Sequence, residues 1–311
     1  MALKQRLPRA GWVCRSWLCT LYEERRMAMY TGVTMQERFA DTWRELGKSP
    51  DGTLSRRMTD DAAEDAFWAQ HLKRYDGLTE IDPYLEPMRQ QLLEWMDRED
   101  EVLEIGPGWG NYTYPVAGKV KSLTCLDISS NVLEFIQSGL KQQGITNTGC
   151  MQGKWEEARL ERTYDVVFGV NCFYRMQEIE EALLRMNRHA RKRAVVGLTS
   201  GPEKPHLVEL SKLSGFDVQL GRRDYIHLVN ILYQIGIHAE VTLVPLEKET
   251  VYENREQLLE DNMRKVRCSG EEQVAYAHEL ISKHAFERDG KMVYPHRYYG
   301  VFVHWQTGRN A

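Results

Sequence analysis

The sequence predicts an α/β protein built on a doubly wound sheet of seven strands. Three observations carry that expectation. A short apolar run at 102–105 passes directly into glycines at alternate positions, Gly106, Gly108 and Gly110, and then into a helix-like segment. A second apolar run, 122–126, leads into an acid, Asp127. From there to the C-terminus, strand-like runs alternate with segments of helical periodicity.

Taken in order, residues 1–55 read as an N-terminal extension with some helix, ending in a loop at 47–53. Its basic start (Lys4, Arg6, Arg9) precedes a mildly apolar stretch, but Arg15 interrupts that stretch and 23–26 close it, so no signal peptide is expected. Met27 and Met29 offer alternative initiation sites. Residues 60–75 form a helix with an apolar edge of Phe67, Trp68, His71 and Leu72. Residues 84–96 place Leu85, Met88, Leu92 and Trp95 at helical spacing, which makes them the helix before the first strand.

The core follows. Strand 101–105 leads to a helix from Tyr112, strand 122–126 to a helix at 131–143 capped by Ser129 or Ser130 and stopped by Gly144. A short strand at 147–152 precedes 164–171, an almost wholly apolar run, as expected of a strand buried on both faces. Helix 178–189 turns Ile179, Leu183 and Met186 inward and leads to strand 193–198. Helix 224–236 (Ile226, Val229, Leu232, Tyr233), strand 239–246, helices 254–266 and 271–284, and strand 298–305 complete the chain. Residues 56–311 thus read as one domain with helical cover elements at 56–97 and about 250–290.

Composition excludes several classes. No apolar run reaches membrane-spanning length. A net charge of −4 argues against a broad phosphate-binding surface. Six cysteines (14, 19, 125, 150, 172 and 268) show no paired metal spacing, so no metal site is expected. Free thiols on strand positions suit a reducing, cytoplasmic location.

The glycine turn places a ligand at a helix N-terminus, and its residues select the ligand. A dinucleotide site uses G-x-G-x-x-G with amide hydrogens aimed at a pyrophosphate. Here the third glycine falls one residue early, Pro107 offers no N–H, and Glu104 brings a carboxylate that repels phosphate and attracts an ammonium. A ligand with an amino-acid head and a nucleoside tail fits better. The pattern E-x-G-x-G-x-G after an apolar strand resembles motif I of the class I S-adenosylmethionine-dependent methyltransferases. The resemblance covers about 60–305 and implies that the last strand of the sheet is antiparallel. It implies that Glu104, Gly106, Gly108 and Gly110 cradle the cofactor, and that Asp127, with Ile128 beside it, takes the two ribose hydroxyls. In the segment 153–157 many relatives carry an acid after the glycine to hold the adenine. This chain has Lys154 there, so Trp155 is expected on the purine face and Glu156 as the substitute acceptor.

At the end of the central strand, Asn171 and Tyr174 face the crevice where open α/β sheets bind ligands. Cys172 reads as strand-end packing. Candidate proton acceptors are His206 in the loop after the fifth strand and the pair Asp224 and His227, which share one helix face. Methyl transfer needs alignment more than a base, because the sulfonium is already activated. The tyrosines 225, 233, 252, 294, 298 and 299 flank the segments expected to roof an acceptor pocket.

The expectation is a methyltransferase for a small-molecule acceptor, without membrane or nucleic-acid partners and compatible with a homodimer. The alternatives are a protein or RNA methyltransferase, supported by the basic stripe Arg185, Arg188, Arg191, Lys192 and Arg193, and a catalytically silent S-adenosylmethionine-binding regulatory subunit. A nicotinamide-dependent oxidoreductase is disfavoured by Glu104 and Pro107.

Overall fold

The computed structural model describes residues 35–49, 51–75, 82–221 and 223–308. Cys14, Cys19, Met27 and Met29 lie outside the described residues. The strands in chain order are β1 (Glu101–Ile105), β2 (Ser122–Asp127), β3 (Thr148–Gln152), β4 (Tyr164–Val170), β5 (Ala190–Ser200), β6 (Phe216–Val218), β7 (Glu240–Tyr252), β8 (Val266–Cys268), β9 (Phe286–Arg288) and β10 (Lys291–Gln306). The α-helices are α1 (Phe39–Leu46), α2 (Arg56–Thr59), α3 (Asp61–His71), α4 (Glu86–Glu94), α5 (Thr113–Ala117), α6 (Ser130–Gln142), α7 (Ile179–His189), α8 (Pro205–Leu210), α9 (Tyr225–Gln234), α10 (Arg255–Met263) and α11 (Glu271–Lys283).

The main sheet runs β3-β2-β1-β4-β5-β10-β7, with β9 joined to β10. β1 to β5 are mutually parallel, and β10 is antiparallel to both β5 and β7. Strand order reverses at β1 and β4, which opens the crevice of a doubly wound fold at the C-terminal ends of these strands.

Alternation along the strands assigns each residue to one of two cores. Val102, Val166, Phe168 and Phe302 pack with Met88 and Leu92 of α4, Tyr114 of α5, and Val132 and Ile136 of α6. Leu103, Ile105, Val167 and Trp305 pack on the other face with Ile179, Leu183 and Met186 of α7 and Leu228 and Leu232 of α9. The helices form where the sequence spaces these residues three and four apart. α6 starts where the Ser129 hydroxyl accepts from the Val132 N–H at 3.2 Å, and Gly144, at φ 68°, follows its end.

Three differences from the sequence expectation concern the second half. β7 and β10 are longer than the expected 239–246 and 298–305. Their outer halves carry Glu247–Glu249 and Pro295–Arg297, which break the apolar pattern that marks a strand. Helix 254–266 ends at Met263, because Val266 starts β8 and pairs antiparallel with β6. This small sheet and α8, α10 and α11 form an accessory unit with its own core of Leu207, Leu210, Ala277, Leu280, Leu258 and Ile281.

The segment expected as an N-terminal extension includes α1, which docks on α7 and α9. Trp43 is 1% exposed, its indole N–H donates to the Met176 carbonyl at 2.8 Å, and Arg223 lies 4.7 Å over its ring. Removing so large a buried side chain costs roughly 3–5 kcal/mol. Trp43→Ala is therefore expected to shift the urea unfolding midpoint of the whole domain downward by that equivalent; an unchanged midpoint would show that α1 lies outside the cooperative unit.

Candidate functional site

β1 ends in a loop whose three glycines, Gly106, Gly108 and Gly110, hold φ of 66°, 57° and 88°. Only a residue without a Cβ takes this left-handed backbone cheaply. Space adds a second constraint, since a Cβ on Gly110 would lie 2.3 Å from the Tyr114 ring and one on Gly108 3.3 Å from Trp68. The loop packs closely against its own neighbours, so these positions hold glycine for both backbone and space.

Two buried carboxylates flank it. Glu104 is 2% exposed; its Oε2 accepts from the Thr113 hydroxyl at 2.7 Å and faces the Cys125 thiol at 3.8 Å. Burial pushes its carboxyl up to about 8. Asp127, at the end of β2, accepts the Ser129 N–H at 2.8 Å. Burial pushes it up to about 7, and the charges of Glu64 and Asp65 add to the shift. A cationic ligand that also donates hydroxyl hydrogen bonds would return both acids to the charged form.

Glu64 and Asp65 belong to α3, which lies across this site. Asp60 caps α3 by accepting the Ala62 and Ala63 N–H groups at 3.0 and 3.2 Å. Asp65 accepts the Ser129 hydroxyl at 2.5 Å and the Asn131 side-chain amide at 2.8 Å, fixing α3 to the start of α6. Glu64 accepts from Arg57 at 2.6 and 2.8 Å and from the Trp68 indole at 3.0 Å, with Arg175 at 3.6 Å. Trp68 covers Gly108, and Tyr75 stacks on Trp109 of the glycine loop at 5.2 Å. The helix is thus a cover fastened at both ends. The sequence showed its apolar edge and missed the acids; the signal for them was an adjacent acidic pair one turn before Trp68.

The other predicted residues divide. Ile128, half-buried after Asp127, offers its carbonyl to Gln152 at 3.3 Å. Glu156 is half-buried, with its carboxyl raised by burial. Burial raises the Cys172 thiol well above its usual range, and the charges of Asp127, Glu104 and Glu156 add to that rise. The Cys172 Sγ donates to the Ile105 carbonyl at 3.3 Å, which makes it packing and not a nucleophile. Asn171 adopts φ 55°, unusual for a residue with a Cβ, and its side-chain oxygen accepts the Thr199 N–H at 3.1 Å, joining the ends of β4 and β5. Tyr174 is 47% exposed at the rim.

Four expectations are corrected. Trp155 is 3% exposed and turned into α7, where its indole donates to the Ala182 carbonyl at 3.1 Å; it is a core wall, not a purine platform. Lys154 reaches Asp61 of α3 at 3.5 Å, so this position ties the loop to the cover. His206 is fully buried in the accessory unit against the Tyr294 hydroxyl (2.7 Å) and the Asn262 carbonyl (3.3 Å), and burial lowers it to about 4, which removes it from proton transfer with an acceptor. Asp224 and His227 form the cap of α9. The Asp224 N–H donates to His227 Nδ1 at 3.2 Å, while the Asp224 carboxylate accepts the Ser200 hydroxyl at 2.8 Å. The expected tyrosine roof is also partial, because Tyr252 and Tyr294 are buried in the accessory core.

Residues 102–193 match the family model described as a methyltransferase domain. A protein of Haemophilus influenzae, described only as uncharacterized, is 27% identical over 165 residues, 51% of this chain and 59% of the relative. Ribosomal RNA small subunit methyltransferase A of Malacoplasma penetrans is 30% identical over 69 residues, 22% of this chain and 25% of the relative. The chain therefore spans about three fifths or less of these curated relatives. Among solved structures, magnesium protoporphyrin IX methyltransferase of Synechocystis PCC 6803 with bound SAH is 14% identical, with 81% of this chain and 99% of that chain covered and a TM-score of 0.48. The family match therefore places a methyltransferase-like domain at residues 102–193 of this chain.

The raised carboxyls make binding of a cationic ligand pH-dependent. In the free protein both acids have folded values above their ordinary ones, so the stability they contribute is present at low pH and lost as pH rises through about 7 to about 8. Cofactor binding favours the charged forms and must release protons below that window. Calorimetry at pH near 6.5 in buffers of different ionisation enthalpy is expected to show release of about one proton or more, falling toward zero near pH 9. Proton uptake, or a pH-independent affinity, would contradict the assignment of these acids.

Proposed function

We propose that this chain is an S-adenosylmethionine-dependent methyltransferase of the cytoplasm acting on a small-molecule acceptor. The observation that carries the reading is the left-handed glycine loop held between Glu104 and Asp127 under the α3 cover. The residues fit the cofactor: a loop of left-handed glycines at the end of β1, one carboxyl beside the loop for an ammonium, and one at the end of β2 for a pair of hydroxyls. The bound cofactor supplies an electrophilic methyl group on a sulfonium. Glu104 and the loop backbone hold its amino-acid end, Asp127 and Ile128 its ribose, and Glu156 its base. α3 excludes water, and Asn171 keeps the ends of β4 and β5 together where the acceptor approaches. The acids just named are taken up by the cofactor, and a displacement at an already activated sulfonium is driven by alignment.

An RNA acceptor has one sequence feature in its favour, the basic stripe at 185–193. Arg191 pairs with Asp165 (2.9 Å) and Glu101 (3.2 Å), Lys192 with Asp100 (2.5 Å), and Arg188 with Glu181. Arg191 and Lys192 meet the starts of β1 and β4, the edge opposite the crevice, so three of the five cations of the stripe are paired with acids and two of these lie away from the crevice. Among the described residues no helix is long and apolar enough to cross a membrane. Incubation of the protein with methyl-tritiated cofactor and a cell extract split by size tests the acceptor class. The label is expected in the small-molecule fraction; label confined to RNA or protein would sink this reading.

A further inference from the structure

The ribbon of β7 and β10 overshoots the sheet. β5 ends at Ser200 opposite Tyr299, whereas Met292 to Tyr298 of β10 pair with β7 beyond that point. This overhang stands at the edge where β4 and β5 end, beside the crevice. Antiparallel register puts Tyr294, His296 and Tyr298 on one face with Thr250, Lys248 and Leu246 directly opposite them. The two ends of this face are filled. Leu246 and Tyr298 join the core around α4, and Tyr252 and Tyr294 close the accessory core.

Between those cores lie Lys248 and His296, joined by Lys204 from the loop after β5 and by Tyr84 from the turn before α4. Lys248 Nζ is 3.3 Å from the Tyr84 hydroxyl and 4.4 Å over its ring. Lys204 Nζ donates to the Asn262 side-chain oxygen at 2.7 Å and lies 5.2 Å from the Tyr294 ring centre. His296 stacks on Tyr298 at 5.0 Å, with its Nε2 2.9 Å from the Pro202 carbonyl. Tyr84 is tied to the glycine loop, since the Asp82 N–H donates to Asn111 at 3.2 Å. The face thus bridges the cofactor loop and the end of β5.

Both ammonium groups are half-buried and held by neutral oxygens, a phenol and an amide. Of the nearby acids, Glu203 is engaged with Lys265 (3.4 Å) and the Gly221 N–H (3.0 Å), and Asp261 with the Tyr252 hydroxyl (2.9 Å) and Arg264 (3.3 Å), while Asp82 stands beside the wall, where its charge acts on Tyr84 and Tyr298. Burial lowers the Lys204 value; the charges of Asp261 and Glu203 oppose that shift and those of Lys265 and Lys248 add to it. A partly desolvated cation regains most from an anion that reaches it directly.

We propose that this face is the anion-binding wall of the acceptor site: Lys248 and Lys204 hold a carboxylate or similar small anionic group of an acceptor whose flat body lies against Tyr84 and Tyr298. The proposal rests on the methyltransferase reading and narrows it to anionic acceptors. The wall is recessed between two cores and presents two cations, which suits a compact anion better than a polyanion that needs a continuous basic stripe.

The test is calorimetric, on the full chain saturated with S-adenosylhomocysteine, using 4-hydroxyphenylacetate and its neutral amide as matched probes. The acid is expected to bind at least about tenfold more tightly than the amide. Lys248→Gln is expected to remove that preference and Lys248→Arg to retain it, with circular dichroism and S-adenosylhomocysteine affinity alike in all three proteins. Equal binding of acid and amide, an acid preference that survives Lys248→Gln, or no acid binding at millimolar concentration would overturn the proposal. Lysine-dependent binding of an oligoribonucleotide without the acid would overturn it in favour of RNA. If the wild-type chain fails to bind S-adenosylhomocysteine, the methyltransferase reading falls instead, and the acid–amide comparison without it still judges the wall.

Discussion

The site depends on keeping two carboxyl groups out of water at the ends of adjacent strands. Glu104 and Asp127 sit where β1 and β2 stop, and both are nearly inaccessible. Burying a charge without a partner is costly, so in the free protein the two groups retain protons into the neutral range. Their surroundings follow from that constraint. Thr113 and Ser129 donate the hydrogen bonds that the acids accept. A group bearing an ammonium and a vicinal diol is the natural complement, because it satisfies both acids at once.

The cover helix extends this arrangement. Asp65 holds the hydroxyl of the same Ser129 whose backbone N–H binds Asp127. Glu64 links the cover to Arg175 in the loop after the central strand β4. The glycine loop, the cover and the loop after β4 are therefore joined through side chains carried by one helix. Lys154, where the resemblance implied an acid, belongs to this system through Asp61. The departure from the family pattern has a structural reason in the cover.

The parallel core was legible because its strands are buried on both faces and its helices follow a regular apolar spacing; β1, β2 and β4 start at or next to the expected residues. Glycine register and Asp127 marked the cofactor loop for the same local reason. What escaped depended on distant packing. β6 and β8 are three residues each, too short for any period, and exist because each completes the other. The ribbon of β7 and β10 was shortened by its own charges. Trp155 looked like a purine platform because its loop was right, but an indole beside a helix gains more from burial against α7. His206 and the pair Asp224–His227 were read by residue type, whereas burial and helix capping decide what they do.

The most direct test of the central claim is calorimetric titration of the purified chain with S-adenosylmethionine, S-adenosylhomocysteine and NADH, with Asp127→Ala in parallel. The account predicts that both adenosyl ligands bind and NADH does not, with affinity at least about tenfold weaker in the variant because charged hydrogen bonds to the ribose are lost. Binding of NADH, or of neither adenosyl ligand, would contradict it and remove the chemical identity assigned to the glycine loop.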